Sequence, residues 1–548
     1  MQISRRDLFR SAAAVGGAAA LGGLGGLSAD AVAGTGPAAR AARATTTRTS
    51  VMVRGTAGAG GYRPVVTAAG ESWKVRTDLG TRAKAGRAGR RRPLVAFAQV
   101  SDVHIVDTES PMRLEYADPF SSSAYRPQEF LTLHVAEAMV QGINAVKTGP
   151  ATGRPIAFTL QTGDNADNAQ YNEVRWNIDV LDGGQIQPDS GDHEKTESVA
   201  DSSDPAFYFA KYWHPEGTPE GKVDDDARAK YGYPTIPGLL AKARAPFEAT
   251  GLDIPWFSVM GNHDKLYQGN AHPAPDSQAR ATGTVKEIDT DKRRTVTADP
   301  NRRELTTAEI VQEHFTTTGL PVGHGYTEQN LTDGTAYYTF DRGIVRFVVM
   351  DTVNANGGDD GSLSPSQFAW VKEVLATSKR KLLVFSSHHP SWTMVNHVTG
   401  PFDPGKRILG GALVRELLKH DNVIAWVNGH THTNNIKSHV RTEGKGKDKR
   451  ILNGFWEINT ASHIDWPQQG RIVEIANNKD GTLSIFSTML DHAAPTTWEE
   501  SQLDSPLQLA ALSRELAAND WQERDHDRRG ARTARNVELI LRAPRFLR

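Results

Sequence analysis

The 548-residue chain contains no cysteine, which excludes disulfides, thiolate metal sites and cysteine nucleophiles together. Any metal it holds must be bound through nitrogen and oxygen. It also lacks a charge bias: 63 Lys and Arg against 64 Asp and Glu leave a formal net charge of -1. That balance argues against a general binder of nucleic acid or membrane surfaces. Beyond the N-terminus there is no run of the roughly 18 apolar residues that a membrane-spanning helix needs. A hydrophobic fraction of 38% with 7% aromatics suits a soluble globular protein long enough for one large domain with insertions, or two to three ordinary ones.

What the N-terminus does contain is an export pattern. A basic start, an Ala/Gly/Leu run and the small residues Ala31-Val32-Ala33 read as a cleavable signal over residues 1–33. The pair Arg5-Arg6, after Ser4 and before Leu8-Phe9, resembles the twin-arginine signal, whose pathway carries folded proteins. The expectation is a protein exported to the cell envelope or beyond, with the twin-arginine machinery as a partner and no stable membrane span in the mature form. Residues 34–92, rich in Ala, Gly and Arg and ending in "RAKAGRAGRRRP", read as a solvated linker.

From Leu94 onward one pattern recurs. "PLVAFAQV" runs into Asp102-Val103-His104, "PIAFTLQT" into Gly163-Asp164-Asn165, and "PWFSVM" into Gly261-Asn262-His263-Asp264. "KLLVFSS" then runs into His388-His389-Pro390, and "VIAWVN" into Gly429-His430-Thr431-His432. Each apolar run is short and continuous, as in a strand buried on both faces, and each stops at a polar loop. Helical patterns lie between them, at residues 127–146 and after Ser364-Pro365-Ser366-Gln367, which reads as a capping box with Pro at the first helical position. Strands alternating with helices predict a layered α/β fold, in which ligand sites lie beyond the carboxyl ends of the strands. The five polar loops are expected to cluster.

Two stretches interrupt the pattern. Residues 183–245 mix acidic runs with aromatic pieces such as "FYFAKYWHP" and read as a lid; residues 270–305 are polar and read as partly disordered. The C-terminal segment, 496–548, reads as a capped helix from Ser505 followed by a solvated basic tail, so that the central domain spans 93–495.

Asp102, His104, Asp164, Asn262, His388, His430 and His432 make a nitrogen-and-oxygen ligand set large enough for two metal ions, provided one aspartate is shared. Histidines at i and i+2 in extended backbone point the same way, so His430 and His432 can serve one ion each. Two ions roughly 3.5–4 Å apart can activate a water and clamp both attacking and leaving oxygens of a displacement at phosphorus.

These five blocks, in this order, resemble the calcineurin-like metallophosphoesterases, over roughly residues 94–475. The resemblance implies a four-layer αββα sandwich of two mixed sheets flanked by helices. It also implies a phosphate monoester or diester substrate, and hydrolysis by in-line attack of a metal-bridging hydroxide. By matching position, Asp102, His104 and His432 are implied as ligands of the first ion, Asn262, His388 and His430 of the second, and Asp164 as the bridge. His388 is preferred to His389 because the family ligand lies two residues before the proline. His263 is similar to the family histidine near the leaving oxygen, and Asp167 stands where many relatives have an acid that orients it. The purple acid phosphatases have a tyrosine at the position of Asp167, and the protein phosphatases have an Arg-Gly pair where Asn168-Ala169 stands; both readings lose ground. The metals are left open among iron, manganese and zinc, and the substrate among several classes of phosphate ester. Some members of the fold are non-catalytic metal-binding scaffolds, but they lack ligands, and here every position is filled. His463, with Asp465 and Trp466, reads either as pocket lining or as structural; His134 and Asp351 read as structural.

Overall fold

The computed structural model describes residues 46–444 and 448–548; the signal read at 1–33 and the start of the 34–92 segment lie outside them. Along the chain the strands of the two central sheets are β1 (Lys74–Arg76), β2 (Arg92–Val100), β3 (Thr159–Thr162), β4 (Trp256–Val259), β5 (Tyr338–Arg342), β6 (Val345–Val349), β7 (Leu382–Ser386), β8 (Val423–Asn428), β9 (Asn435–Glu443), β10 (Arg450–Asn459), β11 (Gln469–Asn477), β12 (Thr482–Asp491) and β13 (Val537–Arg542). They form a seven-stranded sheet in the order β1-β13-β12-β11-β2-β3-β4 and a six-stranded sheet in the order β5-β6-β7-β8-β10-β9. Both are mixed: β2, β3 and β4 run parallel, as do β6, β7, β8 and β10, with antiparallel strands outside them.

The sheets face each other across an aromatic core. Phe97 and Phe158 of one layer stack at 5.2 Å, Phe257 lies flat on Phe340 at 3.7 Å, and Phe347 meets Phe158 edge-on at 5.0 Å. Helices close the outer faces, with α1 (Thr132–Val146) and α6 (Pro506–Asn519) on the seven-stranded side. Between them in sequence come α2 (Tyr171–Asp182), α3 (Thr307–Phe315), α4 (Pro365–Thr377) and α5 (Gly410–Leu417), the last two covering the six-stranded sheet. The result is the αββα sandwich expected from the sequence. At α4 the Ser364 hydroxyl accepts from Gln367 N, but the Gln367 amide does not return to close the box. It bridges the backbone of Asp351 instead, fixing the end of β6.

Four stretches depart from the expectation, because apolar or charged residues within polar surroundings find buried partners. The part of 46–92 that is described is not a loose linker: residues 50–54 pair with 65–69, β1 joins the main sheet, and Arg87 and Arg91 ion-pair with Glu538. The tail likewise is no ornament, since β13 buries Val537, Leu539 and Leu541 between β1 and β12. In the first insert Trp213 is fully buried against Leu131, Leu512 and Leu516, and its amide donates to the Tyr125 hydroxyl at 2.9 Å. That insert is body rather than lid. The second carries a hairpin, residues 285–295, whose Lys286 ammonium is buried and donates to Thr108 O, Ser110 O and Glu115 at 2.8–3.0 Å. Both inserts thereby brace the loop that follows β2. Among the described residues no helix is long and apolar enough to cross a membrane.

Candidate metal centre

The register of the parallel strands sets the site. Val100 pairs with Gln161, Thr162 with Val259, and Ser386 with Val427, so the strand ends are level and the loops beyond them meet. Those loops turn sharply. Asp102, His104, Asp164, His430 and His432 all have positive φ, between 47° and 72°. Non-glycine residues avoid that region, and such strain concentrates where a functional geometry is over-determined by its surroundings. The glycine that precedes each motif residue has a packing reason as well: a Cβ on Gly261 would strike Asp164, and one on Gly429 would strike Asp102.

The two aspartate and four histidine side chains converge. His388 Nε2 is 3.0 Å from Asp164 Oδ2, and His104 Nε2 is 3.7 Å from the same oxygen. His432 Nε2 lies 3.3 Å from Asp102 Oδ1 and 3.3 Å from His104 Nε2. His430 Nδ1 faces His388 Nε2 at 3.2 Å, and the His430 amide donates to both oxygens of Asp102. Among the described residues four ligand-sized groups form: Asp102 with His104 and His432, Asp102 with Asp164 and His388, His388 with His389 and His430, and His104 with Asp167 and His263.

This donor set fits two cations. Ring nitrogens facing one another at hydrogen-bond distance share one proton at most, whereas a cation between them satisfies both lone pairs. Asn262 supplies the clearest sign. Its Nδ2 donates to Gly269 O at 3.1 Å, which turns the carbonyl oxygen inward, and that Oδ1 is buried with no hydrogen-bond partner. A buried acceptor without a partner carries its full desolvation cost; a cation would remove it.

The electrostatics prepare the same state. Burial alone would raise Asp102, yet His432 and His388 hold it down to about 2. Burial lowers His104 to about 4 and His430 to about 3, leaving both neutral and able to ligate. For His388 burial is outweighed by Asp164, which raises it to about 9. A proton occupies there the position in which a metal ion would compete with it.

His389 stands apart from His388. Its Nε2 donates to Asp359 O and its Nδ1 accepts from the Thr352 hydroxyl, both at 2.8 Å, so neither nitrogen is free. His388 gives Nδ1 to Thr162 O at 3.0 Å and turns Nε2 to Asp164 and His430 inside the cluster.

Around the ligands, His263 keeps 15% of its side chain exposed and donates from Nδ1 to the backbone carbonyl of Asp167 at 2.8 Å. Burial is outweighed by Asp164 and Asp167, and His263 rises to about 9. The Asp167 carboxylate is nearer to His104 Nδ1, at 3.1 Å, than to His263 Nδ1, at 3.5 Å. The expected acid is therefore present, but its carboxylate mainly fixes His104 while its carbonyl holds His263. Asp465, read from sequence only as pocket lining, accepts from His432 Nδ1 at 2.5 Å; Trp466 instead packs in the core near Met52. The signal in "NTASHIDWP" was a polar loop after an apolar run, with nothing to say which residue faces the metal loops. His463 donates its amide to Asp102 O, while both ring nitrogens are buried without partners behind the site. His134 packs on Phe247, and Asp351 pairs with Lys265, as structural residues.

Residues 239–434 match the family model described as calcineurin-like phosphoesterase. That span holds Asn262, His388, His430 and His432, but not Asp102, His104 or Asp164. No curated protein matches the sequence significantly. Among solved structures, a dimetal phosphatase from Danio rerio is similar at 13% identity and a TM-score of 0.33, over 74% of this chain and 100% of that one. A purple acid phosphatase from yellow lupin is similar at 11% identity and a TM-score of 0.29, over 80% and 56%. The calcineurin-like phosphoesterase YfkN of Bacillus subtilis is similar at 9% identity and a TM-score of 0.26, over 78% and 98%.

Proposed function

We propose that this chain, whose residues 239–434 match the calcineurin-like phosphoesterase model, is a dinuclear, metal-dependent hydrolase of phosphoric ester bonds that cleaves monoesters or diesters by in-line displacement and acts outside the cytoplasm. The observation that carries the dinuclear reading is the set of overlapping aspartate and histidine clusters, together with the partnerless Asn262 Oδ1 one residue before His263, whose amide meets Asp164. Asp102, His104 and His432 would hold one ion, Asn262, His388 and His430 the other, with Asp164 shared. The ions, when bound, supply an activated water and neutralise charge on the phosphoryl oxygens.

The chain's own residues do the rest. Asp164 Oδ1 accepts the His263 amide at 2.8 Å, so the shared ligand and the candidate acid move as one piece. His263 Nδ1 is occupied by the Asp167 carbonyl, and its Nε2 is left to hold a proton for the departing oxygen. In the metal-free site Asp164 and Asp167 favour that proton, raising His263 to about 9. Gly269, at φ 66°, leaves room at this edge of the ring, since a Cβ there would meet His263 Nε2. The extracellular location rests on the Arg5-Arg6 segment of the sequence.

The test is elemental analysis of the purified protein combined with a panel of chromogenic mono- and diesters. About two equivalents of iron, manganese or zinc, and turnover abolished by chelator and by Asp164→Asn, are expected. Near-normal turnover in either condition would refute the reading.

A further inference from the structure

The two histidines assigned to the first ion are not held like the one compared above. His388 points its Nδ1 at a backbone carbonyl, Thr162 O. His432 points its Nδ1 at a buried carboxylate, Asp465, at 2.5 Å. Asp465 is only 2% exposed and is anchored from two distant parts of the chain. Arg126, from the loop before α1, donates from Nε to Oδ1 at 2.6 Å and from Nη2 to Oδ2 at 3.4 Å. Arg528, from the tail, places Nε 3.8 Å from Oδ2. The same tail residue grips the histidine loop directly. Its Nη1 donates to Thr431 O at 3.1 Å, its carbonyl accepts from Asn434 N at 3.0 Å, and Glu523 accepts from its Nε at 2.9 Å.

We propose that Asp465 is the positioning residue of His432, and that Arg528 brings the C-terminal tail, outside the matched 239–434 segment, into the metal centre as its support. The inference rests on the dinuclear reading. The chemistry is tautomeric. An imidazole ligates through Nε2 only when its proton sits on Nδ1, and an acceptor facing Nδ1 fixes that state. Asp465 is such an acceptor, and Arg126, donating to both of its oxygens, fixes their orientation.

Asp465→Asn tests this at one atom. Arg126 Nε needs an oxygen at the Oδ1 position, so the new amide presents NH₂ to His432 Nδ1. That forces the ring proton onto Nε2, the atom needed for the ion. The affinity of one ion is then expected to fall about 10–100-fold, the usual cost of losing such an outer partner, while the other, held by Asn262 and His388, is retained. Arg528→Gln, at a partly exposed position, is expected to weaken the same ion less.

The readout is metal content at graded free zinc set by a chelator buffer, with the melting temperature of the chelator-stripped protein measured in parallel. Loss of one ion with the other retained at wild-type affinity supports the assignment. Two ions at wild-type affinity in Asp465→Asn, or equal loss of both ions with a lowered stripped melting temperature in both variants, overturns it. If the wild-type protein itself takes up none of zinc, manganese or iron, the dinuclear reading fails first, and the two failures are thereby distinct.

Discussion

At the scale of single residues, the proposed binding and chemical roles fall at neighbouring positions. Asn262→Ala removes a buried carbonyl oxygen that has no hydrogen-bond partner, and is expected to cost one ion and nearly all turnover. His263→Ala, one residue later, should keep both ions and lose the roughly 10²–10⁴-fold typical of general acid catalysis. That loss should be small for nitrophenyl esters, whose leaving groups depart without a proton, and large for alkyl esters. Rates across leaving groups of graded pKa, with metal content measured in the same samples, check this; an equal loss for all esters would exclude the acid role. Much of this was legible in the sequence, because a ligand loop at the end of a buried strand announces itself by residue type alone. The double use of Asp167 was not, since which of its oxygens meets which histidine depends on loop turns at positive φ that no spacing encodes.

At the scale of elements, the strands and helices of the sandwich follow from their apolar runs, but the edges of the domain do not. The strand "VELILR" near the C-terminus is flanked by arginines and follows an acidic and basic stretch, which masks a central position in the sheet. Truncation after residue 536 removes the buried Val537, Leu539 and Leu541, each contributing about 1.5–3 kcal/mol. Against a marginal total stability this is expected to prevent folding, seen as insoluble or protease-sensitive protein. The hairpin of the second insert gives a finer test. Lys286→Ala leaves Glu115 buried without its ammonium partner and should destabilise the fold by about 3–5 kcal/mol in denaturant unfolding. A change below about 0.5 kcal/mol, usual for a surface site, would mean the hairpin is ornament after all.

At the scale of the whole molecule, the inserts, the N-terminal hairpin and the tail surround a sandwich whose strand ends meet at one cluster of nitrogen and oxygen donors. Binding of ions to that folded cluster, but not to the unfolded chain, must stabilise the protein by mass action. Chelation is therefore expected to lower the melting temperature, and added metal to restore it. The most direct measurement is the metal stoichiometry of the purified protein beside that of Asp164→Asn, with ester hydrolysis assayed on the same samples. About two ions and metal-dependent turnover in the wild type, with both lost in the variant, is the result expected. A wild-type protein that hydrolyses esters while holding no metal, or an Asp164→Asn protein that keeps two ions and full turnover, would contradict it.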